Sequence, residues 1–130
     1  MIVVDSSAII AVAADEPDAD AFSPLMLRLE CVVGWPTVLE TEMVLRGRRM
    51  ASALEYLDLW IARPNVVCLP FDRPHYQLAA EAFDRFGKGR HAAGLNFGDC
   101  MSYAVARANA VPLLYKGTDF AKTDVRSARP

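Results

Sequence analysis

The chain opens Met1-Ile2-Val3-Val4-Asp5-Ser6-Ser7-Ala8, and the reading of this stretch decides the fold. Met1 to Val4 is short, wholly apolar and rich in β-branched residues, the pattern of a strand covered on both faces. Asp5-Ser6-Ser7 ends the run with side chains that cap helices, and Ala8 to Ala14 reads as the helix that follows. A buried strand passing straight into a helix is the opening move of an α/β fold with parallel strands. The same stretch does not read as a secretory leader. The first basic residue is Arg28, so a positive n-region is missing, and Asp5 interrupts the apolar run.

The alternation continues downstream. Pro17 to Glu30 is helical with a kink expected at Pro24, and Cys31-Val32-Val33 is a second strand closed by Gly34. Pro36 suits a first helical turn, with helix over Thr37 to Arg46. Met50 to Arg63 carries Leu54, Leu57 and Ile61 at helical spacing. Val66 to Leu69 is a third strand, and Asp72 caps a helix over Pro74 to Phe86. Gly87 to Gly94 reads as a flexible basic loop, with His75 upstream at a helix start, on the surface or capping. Asn96 caps a helix from Phe97 to about Asn109, Val111 to Tyr115 is a fourth strand, and Lys116 to Pro130 is a short tail without assigned structure. Met26, Leu29 and Trp60 are expected to pack inside. The sum is a single domain over residues 1–130, an α/β sandwich around a mostly parallel sheet.

Composition narrows the classes. A chain of 130 residues with 53% hydrophobic and 23% charged residues can bury one core and is not disordered. No apolar stretch reaches the about 18 residues that a membrane span needs. Cys31, Cys68 and Cys100 are odd in number and widely spaced, which indicates neither a disulfide framework nor a zinc site and fits a reducing, cytoplasmic setting. The net charge of −2 conceals an asymmetry: residues 1–84 hold 6 basic and 13 acidic side chains, residues 85–130 hold 8 basic and 3 acidic. Such a division suits an anion-binding surface beside an acidic pocket.

Ligands of parallel α/β sheets sit beyond the carboxyl ends of the strands, and four acidic residues fall there. Asp5 ends the first strand, Asp119 follows the last, and Asp99 and Glu40 lie in the opening turns of helices. Glu42 is excluded in favour of Glu40. The two are roughly 200° apart on a helix, Glu42 has Arg46 at i+4 as a surface partner, and Glu40 has Met43 and Val44 on its own side. Carboxylates about 4 Å apart repel by about 4 kcal/mol per pair at an effective dielectric of 20. A cluster of four therefore takes up protons or cations, and an all-oxygen donor set points to Mg²⁺ or Mn²⁺.

Met1-Ile2-Val3-Val4-Asp5-Ser6-Ser7-Ala8, Leu39-Glu40-Thr41, Gly87-Lys88-Gly89-Arg90-His91, Leu95-Asn96-Phe97-Gly98-Asp99-Cys100 and Leu113-Leu114-Tyr115-Lys116-Gly117-Thr118-Asp119-Phe120 occur in an order that resembles the PIN-domain ribonuclease toxins of VapBC toxin–antitoxin systems. The resemblance covers essentially the whole chain. It implies a three-layer α/β/α sandwich and a metal-dependent endoribonuclease, silenced by a VapB-like antitoxin and working as a homodimer on RNA, with tRNA or rRNA as the substrate class. Its acidic site would fall on Asp5, Glu40, Asp99 and Asp119, with Asp5 and Asp99 as direct metal ligands. Two departures stand out: Ser6 replaces the usual threonine, and Thr118 stands where many relatives carry Asp or Asn.

An acidic pocket holds an anionic strand only with cations around it. Lys88, Arg90, His91 and Lys116 are the candidates, and Ser7 is placed to bond a carboxylate or a phosphate. Three rival readings compete with this one. Histidine-based RNA cleavage would rely on His75 and His91. Phosphoryl transfer of receiver or aspartate-phosphatase type lacks its second Asp, where Ser7 stands, and its third-strand Asp, where Pro70 stands. A non-catalytic PIN-like scaffold would bind a partner only, and four intact acidic positions speak against it.

Overall fold

The computed structural model describes all 130 residues. Four strands, β1 (Ile2–Val4), β2 (Cys31–Gly34), β3 (Val66–Leu69) and β4 (Leu113–Leu114), form one sheet in the order β3-β2-β1-β4. Every neighbouring pair is parallel, in registers such as Val3↔Val32, Val3↔Leu113 and Val33↔Cys68. Six helices connect them: α1 (Ser6–Ala13), α2 (Ala19–Arg28), α3 (Trp35–Gly47), α4 (Ala51–Ile61), α5 (Arg73–Phe86) and α6 (Phe97–Asn109).

Strand alternation divides the core. Ile2, Val4, Cys31, Val33 and Val66 point to one face, where they pack with Ile9, Phe22, Met26, Leu45, Leu57 and Trp60 of α1–α4. Val3, Val32 and Leu113 point to the other and meet Ala82, Phe86, Tyr103 and Ala104 of α5 and α6. Crossovers between parallel strands are right-handed. Moving outward from β1 to β2 to β3 therefore stacks α1–α4 on one face, and reversing to β4 places α5 and α6 on the other. The result is the expected three-layer sandwich. The reversal falls between β1 and β4, which is where open α/β sheets bind ligands.

Several elements differ from the sequence reading. The second helix is shorter than 17–30, running from Ala19 to Arg28 with Pro24 inside it. The fourth strand covers only Leu113–Leu114 rather than 111–115. Ala110 adopts a left-handed conformation and the Val111 N–H bonds back to the Ala106 carbonyl, so Val111 closes the helix instead of opening the strand. The segment after Phe86 is pinned by a bridge between Gly87 and Leu95. His75 is buried at 8% exposure; it is not on the surface, and the capping role holds, since Asp72 and His75 form a reciprocal capping box. Met26 and Trp60 lie in the core as expected, and Leu29 packs against it half-buried.

The tail is ordered. It forms a 3-10 turn at Phe120–Lys122 and a parallel bridge between Ser127 and Leu113. Asp124 fastens it, accepting from the Tyr103 hydroxyl at 2.6 Å and from Arg85 and Arg107 at 3.2 Å each. No helix is long and apolar enough to cross a membrane. Hydrogen bonds to charged groups contribute about 1.5–3 kcal/mol. Urea unfolding of Tyr103→Phe is expected to show a loss of about 1–2 kcal/mol relative to the parent chain.

Candidate active site

Asp5 follows β1 with an extended backbone, and its N–H still pairs with the Leu114 carbonyl. Its side chain is 3% exposed, and three donors hold it. Oδ2 accepts from the Ser7 N–H at 3.1 Å and the Ser7 hydroxyl at 2.5 Å, and Oδ1 accepts from the Ser102 hydroxyl at 2.5 Å. The Ser7 bond caps α1, so Asp5 is both a helix cap and a member of the acidic group. Ser7 meets a carboxylate, and its oxygen also accepts from the Lys116 N–H at 3.0 Å, tying α1 to the segment beyond β4.

Asp99 occupies the third position of α6 in a capping box: its Oδ2 accepts from the Asn96 N–H at 3.1 Å, and its own N–H donates to Asn96 Oδ1 at 2.9 Å. Burial pushes its pKa up to about 6. The Asn96 N–H opposes the rise, and the negative charges of Asp5, Asp119 and Glu40 add to it. Asp5, Asp119 and Glu40 thus lie near enough to Asp99 for their charges to act on it.

Glu40 on α3 is half-buried and likewise titrates higher than usual. Burial is the main cause, the Ser6 hydroxyl works against it, and the Asp5 charge reinforces it. Its Oε1 is buried without a hydrogen-bond partner. Its Oε2 lies against Gly98 so closely that any Cβ there would collide with the carboxylate. Glu42 faces solvent and pairs with Arg46 at 3.1 Å, as expected. Of the two, Glu40 is the one turned inward, but not for the expected reason: Met43 is 63% exposed, and the inward side of α3 is set by Thr37, Val38, Thr41 and Leu45. Asp119 is exposed at the rim, opening the 3-10 turn.

The basic candidates lie around this edge with partners of their own. Lys116 Nζ pairs with Glu16 at 3.0 Å, and Arg48 takes the other Glu16 oxygen at 3.4 Å. Arg90 pairs with Asp84 at 3.3 Å and lies over Phe83. His91 is exposed and accepts the Ala93 N–H on Nδ1 at 3.0 Å, while Lys88 is exposed on the same turn. Three contributors escaped the sequence reading: Ser102, Thr37 and Gly98. Ser102 stands three residues after Asp99, and Thr37 three before Glu40, so each shares a helix face with an identified acid.

The donor set suits a hard divalent cation: carboxylate oxygens, one buried and unpartnered, around an aspartate whose charge is disfavoured by its neighbours. No three His, Cys, Asp or Glu side chains converge to enclose one ion by themselves. Mg²⁺ makes no such demand, because it commonly takes one or two carboxylates and keeps several waters. The raised Asp99 pKa has a consequence for stability. The folded state holds a proton that the unfolded chain releases at lower pH, so metal-free protein loses stability as pH rises from about 4 through about 6. Asp99→Asn, which keeps an acceptor for the Asn96 N–H, is expected to raise the melting temperature of metal-free protein at pH 7.5 and to flatten its pH dependence. Added Mg²⁺ should stabilise the parent chain and not this variant.

The PIN domain family pattern matches residues 2–126. The chain is 40% identical over 124 residues to Ribonuclease VapC of Mycolicibacterium smegmatis, covering 95% of this chain and 96% of that protein. Among solved structures, Mycobacterium tuberculosis VapC20, a sarcin–ricin loop cleaving toxin, superposes with a TM-score of 0.81 at 20% identity over 100% of both chains. VapBC2 from Rickettsia felis, bound to a DNA fragment from its promoter, gives a TM-score of 0.74 at 12% identity over 98% of this chain and 96% of that one. The two structures speak for the fold, and the family pattern with the close relative speaks for membership. The chain belongs to the PIN-domain family and, within it, to the VapC ribonucleases.

Proposed function

We propose that this protein is a divalent-metal-dependent endoribonuclease, the toxin of a type II toxin–antitoxin pair, hydrolysing RNA phosphodiester bonds in the cytoplasm. The observation that carries the reading is the gathering of Asp5, Glu40, Asp99 and Asp119 at the β1/β4 reversal, with Asp99 driven up to about 6 by burial and by the other three. Asp5 and Asp99 would hold Mg²⁺ directly, with Mn²⁺ as a substitute. The chemistry that a cation held there would supply is neutralisation of charge on the scissile phosphate and a lowered pKa for the attacking water.

The chain's own residues do the rest. Asp5 is fixed by Ser7 and Ser102, whose hydroxyls each donate to one of its carboxylate oxygens. Glu40 has a free buried oxygen and an elevated pKa, which suit it to accept a proton from the attacking water. Asp119 completes the acidic wall at the rim. Lys116, released from Glu16, and Lys88, Arg90 and His91 on the turn before α6 hold the RNA strand outside the acidic centre; Ser7 acts through Asp5. A VapB-like antitoxin and a second copy of the chain are the protein partners, in keeping with the likeness to VapBC2. The homodimer is supported by a continuous apolar surface, where two grooves of about 890 and 300 Å³ share Phe71, Phe97 and Met101.

The test is cleavage of a mixed tRNA and rRNA pool with Mg²⁺, with Mn²⁺ and with EDTA, alongside Asp99→Ala. Metal-dependent cutting that Asp99→Ala abolishes is the expected result. Cutting insensitive to EDTA would turn the reading to the two histidines, and failure to cut alongside failure to bind metal would leave a binding scaffold. Transition-state charge stabilisation of several kcal/mol implies losses of about 100-fold or more when a site acid is removed. Glu40→Gln and Gly98→Ala should both fall in that range, the second because the added methyl evicts the Glu40 carboxylate. Glu42→Ala is expected to stay within about twofold of the parent chain, as for an exposed ion pair.

A further inference from the structure

Five polar or charged side chains are buried in this protein, and four of them form one connected line. The Ser102 hydroxyl, on a residue 1% exposed, donates to Asp5 Oδ1 at 2.5 Å. Thr37 Oγ1, on a residue 2% exposed, stands 3.4 Å behind Ser102 Oγ, and Thr41 bonds the Thr37 carbonyl at 2.8 Å. A carboxylate only accepts and a serine hydroxyl has a single proton. That proton goes to Asp5, so the contact between the two hydroxyls runs from Thr37 to Ser102.

We propose that Ser102 is a positioning residue for the cation site: with Thr37 behind it, it fixes the plane of the Asp5 carboxylate, whose one remaining acceptor site, on Oδ1, would serve an ion held jointly with Asp99. The proposal rests on the metal reading given above. The terminal torsion of an aspartate is broad, and Ser7 restrains Oδ2 alone. A second anchor on Oδ1, from a helix 97 residues away in sequence, turns a capping carboxylate into one of fixed orientation. Outer partners of metal ligands typically change metal affinity or activity by about 10–100-fold when removed. A hydroxyl that merely satisfied a buried oxygen would instead lower stability and leave the affinity of folded molecules unchanged.

The experiment is titration of metal-stripped full-length protein with Mn²⁺, read by the electron paramagnetic resonance of free Mn²⁺, with thermal melts by circular dichroism in parallel. Ser102→Ala is expected to remain folded and to bind Mn²⁺ about 10-fold or more weakly, and Thr37→Val to weaken it in the same direction by less. Unchanged affinity in a folded Ser102→Ala protein overturns the proposal, whatever its melting temperature. If Ser102→Ala does not fold, Thr37→Val decides: weakened binding supports the assignment and parental binding overturns it. A parent chain that binds no Mn²⁺ at millimolar concentration overturns the metal reading itself, and this assignment with it.

Discussion

A carboxylate at 3% exposure, at the end of an interior strand, is the constraint around which this edge of the molecule is built. Removing a charge from water costs several kcal/mol unless hydrogen bonds replace the lost hydration. Asp5 receives three, from two different helices. The Ser7 pair comes with the α1 cap and is local. The Ser102 bond is not, and it requires α6 to lie directly across the mouth of β1. The reversal of strand order puts it there, since it sends α6 to the face opposite α1–α4 while keeping β4 beside β1.

With Asp5 in place, the neighbouring acids take on their character. Asp99 sits in the first turn of α6, where the helix dipole and the Asn96 N–H favour its charge. Burial and three nearby carboxylates outweigh both. Glu40 is pressed against a glycine with one oxygen unpartnered, which no protein donor relieves. These groups are mutually unfavourable when all ionised and become compatible when a cation is shared. Further out the balance changes sign, and Lys116, Arg48 and Arg90 are held by Glu16 and Asp84 in exposed pairs that contribute little to stability.

Much of this was legible in the chain. The strand and helix alternation, the caps at Asp5, Asp72 and Asn96, and the selection of Glu40 over Glu42 follow from local chemistry and helical spacing. Where the reading slipped, a tertiary contact had overridden a local signal. Val111 looked like strand because it is β-branched, but the α6 terminus claims its N–H. Met43 looked like core, yet it lines an open apolar groove. His75 looked exposed beside a proline, and packing on Phe71 with the Asp72 cap buries it.

The sequence by itself determined the elements, their order and the four acids at the carboxyl edge, because capping, periodicity and strand patterning act over a few residues. Only the tertiary structure decided which hydroxyls hold Asp5, why residue 98 must be glycine and how far the Asp99 charge is disfavoured. Those properties belong to distances between α1, α3 and α6, set by the packing of two helix layers on one sheet, and no short-range pattern in the chain encodes them.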